Sequence, residues 1–341
     1  MKTAVSFDDL GFVGNSIVMQ KLYDKLSRIA SSNAPVFIQG ETGTGKELCA
    51  LAVHGLGNRC DKEFVALNCG AIPPELMESE VFGHLKGSFT GAIANRDGAA
   101  KMAHGGTLFL DEICEMPLEL QTKLLRFLQT GMIQPVGASR PVKVDVRIVC
   151  ATNKDPRMEV AEGRFREDLF YRLFVLPVKV PPLRVRGCDV SLIGDAFLRQ
   201  FAHEEGKAFA SFSDDALHVM EDYDWPGNVR ELQNTIRQIV VMNDGDVVDR
   251  AMLVELLSEV DHGLQLDISA FQNSDVASVA AVPVQVGGFK PRQLWQIERD
   301  AIEAAIVAHN GSIPKAAENL GVSPSTIYRK RESWKPSSQV M

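Results

Sequence analysis

The chain has no run of 18 or more apolar residues, which excludes a membrane-spanning helix. Its first fourteen residues lack the layout of a signal peptide, since Asp8 and Asp9 interrupt any apolar centre, so no targeting segment is read there. Six cysteines in 341 residues form no C-x-x-C pair. That excludes a disulfide scaffold and fits reduced thiols in a cytoplasmic protein. Glycine and proline are too scarce for a collagen-like chain, and 45% hydrophobic residues are too many for a disordered one. Positive charge is also scarce. Lys and Arg total 36 against 44 Asp and Glu, for a net charge of −8. An evenly spread acidic surface would argue against nucleic acid as a partner. The spread is uneven. Residues 260–289 hold no Lys or Arg, whereas residues 290–341 hold 8 of them against 5 acidic residues. The terminal 52 residues therefore carry +3 and the other 289 carry −11.

What is present is an alternation of apolar runs and helical patterns up to about residue 180. Residues 35–39, 64–67, 106–110, 144–152 and 174–180 read as buried strands, with helix-like stretches at 45–56 and 115–130 between them. This order implies an α/β fold with a parallel sheet covered by helices on both faces. Residues 189–257 read as helices only, with Leu192, Ala196, Leu198 and Phe201, then Ala216, Leu217, Val219 and Met220, at helical spacing. The expected organisation is an α/β subdomain over residues 12–183 and a helical subdomain over 184–258. A linker over 259–289 follows, rich in Ser, Ala, Val, Gln and Gly, and then a small basic module over 290–341.

The first apolar strand runs straight into Gly40-Glu41-Thr42-Gly43-Thr44-Gly45-Lys46-Glu47 and then a helix. Glycines let the backbone curl so that successive N–H groups face phosphates, and the helix N-terminus adds a favourable dipole. Lys46 is placed to reach the β- and γ-phosphates. Glu47 stands where a P-loop usually has Ser or Thr, so a magnesium ion there must lean on other oxygens. A second apolar strand, Thr107-Leu108-Phe109-Leu110, delivers Asp111 and Glu112 at its C-terminal end. Open α/β sheets bind ligands at that end. Asp111 is the candidate for positioning Mg2+, and Glu112 for orienting or deprotonating the attacking water. An Asp-Glu pair on its own is common on a solvated strand end, and a glycine-rich loop can be a plain turn. Together they point to nucleoside triphosphate hydrolysis.

The segment Phe82-Gly83-His84, followed by Gly87-Ser88-Phe89-Thr90-Gly91-Ala92, makes the chain resemble the AAA+ ATPases that activate sigma-54 RNA polymerase, the bacterial enhancer-binding proteins. Their usual hexapeptide is GAFTGA, so Ser88 replaces Ala. The resemblance spans about residues 12–257. It implies an ATP- and Mg2+-dependent motor whose loop touches sigma-54 through Phe89 and Thr90. Read without that framework, the same segment is a hairpin tip. The resemblance further implies that Asn68 is the switch residue restraining Glu112, and that Thr152 and Asn153 form sensor I. Arg166 and Arg172, in Gly163-Arg164-Phe165-Arg166-Glu167-Asp168-Leu169 and Phe170-Tyr171-Arg172-Leu173, match arginine fingers serving a neighbouring subunit. Such fingers imply a ring, and the family forms hexamers. The bland alternative is surface ion pairing with Glu167 and Asp168. In Trp225-Pro226-Gly227-Asn228-Val229-Arg230-Glu231-Leu232, Arg230 matches sensor II, although it could simply cap a helix.

In the terminal module an amphipathic helix over residues 294–309 precedes a short helix over 314–320. Ser323 then caps a basic third helix beginning Pro324-Ser325-Thr326-Ile327-Tyr328-Arg329-Lys330-Arg331. This is a helix-turn-helix pattern, although three-helix protein-binding units share it. It resembles the Fis-type DNA-binding module that ends this family. Ser325, Thr326 and Arg329 are the candidates for base edges, and Lys330, Arg331 and Lys335 for phosphates. A single module binds weakly, so a dimer on double-stranded upstream DNA is expected.

Cys114-Glu115-Met116, residues 118–126 and residues 323–330 resemble the LuxO-type quorum-sensing branch of two-component regulators. Those regulators open with a receiver domain, which the residues before Phe12 do not provide. Control in trans, absence of control and a removed receiver all remain open. The leading expectation is an ATP-hydrolysing activator that remodels closed sigma-54 promoter complexes. The alternatives are an AAA+ remodeller of another protein and a DNA-binding repressor with a scaffold ATPase fold.

Overall fold

The computed structural model describes residues 7–264, together with residues 299, 302–307, 309, 312–319, 326, 327 and 330. Two compact units result, residues 1–269 and 270–341.

In the first unit the strands are β1 (Val36–Gln39), β2 (Phe64–Asn68), β3 (Gly83–His84), β4 (Arg96–Asp97), β5 (Thr107–Asp111), β6 (Met132–Ile133), β7 (Val142–Lys143), β8 (Arg147–Thr152) and β9 (Leu176–Lys179). Five of them form one parallel sheet in the order β2-β5-β8-β1-β9. All five expected strands are present. Residues 144–146 are not part of β8; instead the Val144 N–H donates to Gly131 O at 2.8 Å. Pro177 is accommodated because β9 is an edge strand.

Side-chain alternation divides the core into two layers. Phe37, Leu108, Leu110, Ile148 and Cys150 share a core with α3 (Pro74–Phe82), the short α4 (Ala99–Met102), α5 (Leu118–Thr130) and α7 (Glu167–Leu173), which the short α6 (Pro156–Ala161) precedes. Val36, Ile38, Phe109, Val149 and Ala151 face α1 (Ile17–Ala30) and α2 (Lys46–Gly55). Burial on both faces explains why these strands read as continuous apolar runs. Arg147 is buried at the start of β8 and donates to Ile29 O, Ala30 O and Val53 O. It thereby satisfies carbonyls at the C-terminal ends of α1 and α2.

The helical subdomain packs α8 (Asp189–Glu205), α9 (Asp214–Asp222), α10 (Asn228–Met242) and α11 (Arg250–Leu264) around Phe201, Met220, Trp225 and Ile236. Two details depart from the all-helical expectation. β10 (Ser211–Phe212) and β11 (Val247–Val248) form a short parallel pair. Leu192 is 39% exposed, and Val190 and Ile193 take the core positions on that turn of α8. The helix α11 runs to Leu264, into the segment read as linker. The remainder of that segment lies outside the described residues.

In the second unit Ile302, Ile306, Ala316, Ala317 and Ile327 form a small core, with a helix over Ile313–Asn319.

Candidate active site

The P-loop follows β1 and its helix α2 begins at Lys46. Gly43 and Gly45 have φ of +77° and +95°, which glycine adopts without strain. Next to β1 in the sheet lies β8, ending in Thr152, and beyond it β5, ending in Asp111. The ligand-binding end of the sheet thus collects all three segments. A cleft of 500 Å³ is lined by Thr42, Gly43, Lys46 and Glu47 from the P-loop, by Asn68, Asp111 and Glu112 from the strand ends, and by Arg230 from α10. Residues expected from four separate motifs therefore share one cavity.

Within the cleft, Lys46 Nζ donates to Gly40 O at 2.9 Å and Glu41 O at 3.1 Å. Burial pushes its ammonium below the usual lysine range, with Asp111 and Glu112 opposing the shift and Arg230 reinforcing it. A phosphate in the cleft would supply the compensating negative charge.

Glu112 has φ 52° and ψ 45°, the left-handed region rarely adopted by a side-chain-bearing residue. Asp111 Oδ1 accepts from the Glu112 N–H at 2.9 Å and stabilises that turn. The strain turns the Glu112 carboxylate over Gly70, where a Cβ would lie 2.2 Å from Oε2. Gly70 is thus a site residue that the sequence pattern did not single out; its only signal is a glycine two positions after the end of β2. Asn68 shares this loop. Its Oδ1 accepts from the Gly70 and Ala71 N–H groups at 2.8 and 3.1 Å, so it shapes the segment that Glu112 contacts.

Asn153 Nδ2 donates to Thr42 Oγ1 at 3.2 Å, and Thr152 is fully buried beside it. A second, more apolar cavity of 290 Å³ adjoins the cleft and shares Gly45, Leu48, Val229 and Gln233 with it. Phe12, Val13, Met19, Ile193 and Phe197 supply much of its apolar wall, and Thr44 and Arg186 are among its polar lining. Its size and apolar lining suit a planar base beside the phosphate cleft. Sequence reasoning missed these residues, because each is an ordinary hydrophobe locally.

Arg166 and Arg172 line neither cavity. Arg166, on the surface ahead of α7, pairs with Asp168 at 2.8 Å, and Arg172 donates to Leu128 O at 3.2 Å. The residues Gly87 to Ala92 lie in the loop between β3 and β4, which pair antiparallel. The Leu85 N–H donates to Val136 O at 2.9 Å, fastening this loop to the one between β6 and β7. Phe89 rests edge-on against His84 at 5.0 Å, while Thr90 is exposed. In the terminal unit Thr326 and Lys330 are partly buried. Ser325, Arg329 and Arg331 lie outside the described residues.

Family models match three successive segments: the sigma-54 interaction domain over residues 12–179, the AAA+ ATPase lid domain over 184–265, and the bacterial regulatory protein, Fis family, over 293–334. The class is thus an AAA+ ATPase with a helical lid and a Fis-type helix-turn-helix. The luminescence regulatory protein LuxO of Vibrio campbellii is 52% identical over 324 residues, 95% of this chain and 69% of the relative. The DNA-binding transcriptional regulator NtrC of Rhizobium meliloti is 41% identical over 339 residues, covering 95% and 70%. The crystal structure of NtrX from Brucella abortus in complex with ATP superimposes with a TM-score of 0.68 at 33% identity, covering 96% of this chain and 70% of that one. The chain belongs to the sigma-54-dependent AAA+ transcriptional regulators, ATP-hydrolysing activators that bind DNA through a Fis-type module.

Proposed function

We propose that this chain works as a ring whose ATP hydrolysis drives the loop carrying Phe89 and Thr90 against sigma-54, opening promoter complexes. Lys46 and the P-loop amides, from Gly40 through Glu47, bind the triphosphate. Glu112 orients and deprotonates the attacking water, and Asn68, acting through the 70–71 loop, sets where that carboxylate rests. Thr152 and Asn153 sense the terminal phosphate from the end of β8, and Arg230 senses it from the lid. Arg166 and Arg172 lie outside the chain's own cleft, which supports service to a neighbouring subunit's nucleotide and hence a hexamer. The oxygen donors Asp111 and Glu47 in the cleft suit a hard cation, so Asp111 would hold Mg2+, with Glu47 in place of the usual hydroxyl residue. The ion would neutralise phosphate charge. Ser325, Thr326 and Arg329 read base edges of upstream double-stranded DNA, Lys330 and Arg331 meet phosphates, and a dimer presents two such modules. The domain limits remain those read from the sequence, with the lid extended along α11. Kinship with LuxO supports a cytoplasmic role in quorum-sensing control. Among the described residues no helix is long and apolar enough to cross a membrane.

The observation that carries this reading is the single cleft uniting Lys46, Asp111, Glu112 and Arg230, with Phe89 and Thr90 on a separate exposed loop. Hydrolysis and sigma-54 contact should therefore separate by mutation. Glu112→Gln is expected to lose ATP turnover by at least about a hundredfold. Thr90→Ala is expected to keep turnover but fail in a sigma-54 open-complex assay. Normal promoter opening by Thr90→Ala would refute the assignment of the loop.

A further inference from the structure

The outward face of the P-loop presents carbonyls, and three successive ones are occupied from the lid side. Asn228 Nδ2 donates to Thr42 O at 3.0 Å, the Val229 N–H donates to Gly43 O at 3.0 Å, and Arg186 Nη2 donates to Thr44 O at 2.7 Å. Asn228 Nδ2 also reaches Glu41 Oε2 at 3.2 Å, and Asn228 Oδ1 accepts from the Leu183 N–H at 2.8 Å. Arg184 holds the same Glu41 carboxylate with two bonds, at 2.8 and 2.6 Å, and keeps its carboxyl down at about 2. The contact is close: a Cβ on Gly43 would lie 2.2 Å from Gly227 O.

Asn228 is fully buried and has φ +55°, in a turn where Trp225 also has a positive φ of +48°. Two side-chain-bearing residues in the left-handed region within four positions is costly backbone, retained only where the surroundings demand it. A free glycine-rich loop has many conformations, and only one of them aims its N–H groups at a phosphate. Fixing its carbonyls from outside selects that one in advance, so less ordering remains to oppose binding.

We propose that Asn228 is a positioning residue through which the lid pre-forms the phosphate cradle, so that triphosphate affinity depends on lid placement. This rests on the reading of residues 40–47 as the phosphate site, and it assigns to the turn before α10 a task distinct from that of Arg230. Lid rotation would break the caps at Thr42 and Gly43 together, loosening the cradle and releasing nucleotide.

The test is a titration of the full chain with two probes, ATP and adenosine, in wild type, Asn228→Gly, Asn228→Asp and Lys46→Ala. Asn228→Gly keeps the positive φ and deletes the amide. Asn228→Asp keeps the shape but turns a carboxylate toward Thr42 O and Glu41. For both Asn228 variants ATP affinity should fall about tenfold while adenosine affinity stays unchanged, since loss of the two hydrogen bonds from Nδ2 to the P-loop, at Thr42 O and Glu41 Oε2, is of that order. In turnover the ATP KM should rise with kcat preserved. Adding Glu41→Gln to Asn228→Asp should recover part of the loss. Unchanged ATP affinity in both Asn228 variants overturns the proposal. So does an equal fall for ATP and adenosine, which would mark a general structural role. Lys46→Ala should remove the advantage of ATP over adenosine; if it does not, the phosphate-site reading itself fails.

Discussion

Ser88 is the residue at which this chain departs from the usual loop hexapeptide. Its Oγ is buried with no hydrogen-bond partner among the described residues. The side chain is wedged against Gly137, where a Cβ would lie 2.7 Å from Ser88 Cβ. An unsatisfied buried hydroxyl costs about 1–3 kcal/mol relative to a satisfied one. Removing it should therefore relieve strain rather than create it. Ser88→Ala is expected to leave ATP turnover and promoter opening unchanged. It should raise the thermal midpoint by about 2–4 °C, the shift that about 1 kcal/mol produces in a domain of this size. A drop in the midpoint would show that the hydroxyl has a bonding role that the geometry does not reveal. The neighbouring Phe89 differs in kind. Its ring is tied to the fold through His84, which is itself bonded to Ser79 Oγ at 2.7 Å. Substitutions there act on loop position as well as on any partner surface.

At the scale of elements, α2 joins the sheet through a buried polar contact that should respond to pH. His54 Nδ1 lies 2.9 Å from Thr107 Oγ1 on β5, and its ring packs on Phe64 of β2 at 5.3 Å. Burial pushes the imidazole below its usual value of 6.5, Arg147 pushes it the same way, and a bond involving the Lys62 backbone opposes them. The unfolded chain thus binds the proton more tightly than the native one. Stability from this group is complete above about pH 6.5 and declines as pH falls below that value. Thermal unfolding from pH 7.5 to 5 should show this decline, and His54→Gln should flatten it; parallel curves for the two proteins would refute the assignment.

The three inner strands β1, β5 and β8 are legible because burial on both faces leaves short, unbroken apolar runs, and the half-exposed edge strands β2 and β9 keep enough apolar residues to read the same way. The P-loop and the Asp111–Glu112 pair are legible because their chemistry requires fixed neighbours in the chain. The two-residue pairs β3–β4, β6–β7 and β10–β11 are not, since two residues carry no period. The apolar cavity beside the cleft draws on residues 11–13, 48 and 193–197. The Asn228–Thr42 contact spans 186 positions. Such assemblies are produced by tertiary packing and leave no local signature.

Over the whole molecule, charge is divided by task. The motor, lid and following segment carry −11 and the terminal 52 residues carry +3. At physiological ionic strength fields fade over about 8 Å. The acidic excess therefore repels DNA only where it comes close, while cations at the DNA surface act at full strength. DNA affinity should then behave as for a basic protein despite the overall −8. Lowering salt from about 200 to 50 mM should strengthen binding steeply, because each neutralised phosphate releases counterion. Arg331→Ala, removing one proposed phosphate contact, should weaken binding evenly across DNA sequences and lower the slope of log affinity against log salt by about 1 per module engaged. Arg329→Ala, removing a proposed base contact, should instead reduce the preference for the cognate site by about 1–3 kcal/mol. Equal effects on cognate and random DNA in the two variants would refute this division between base-reading and phosphate-meeting residues. Affinity insensitive to salt would refute the electrostatic account of the terminal module. The two measurements bear on separate steps, since the salt slope counts phosphates and the cognate-to-random ratio reads bases.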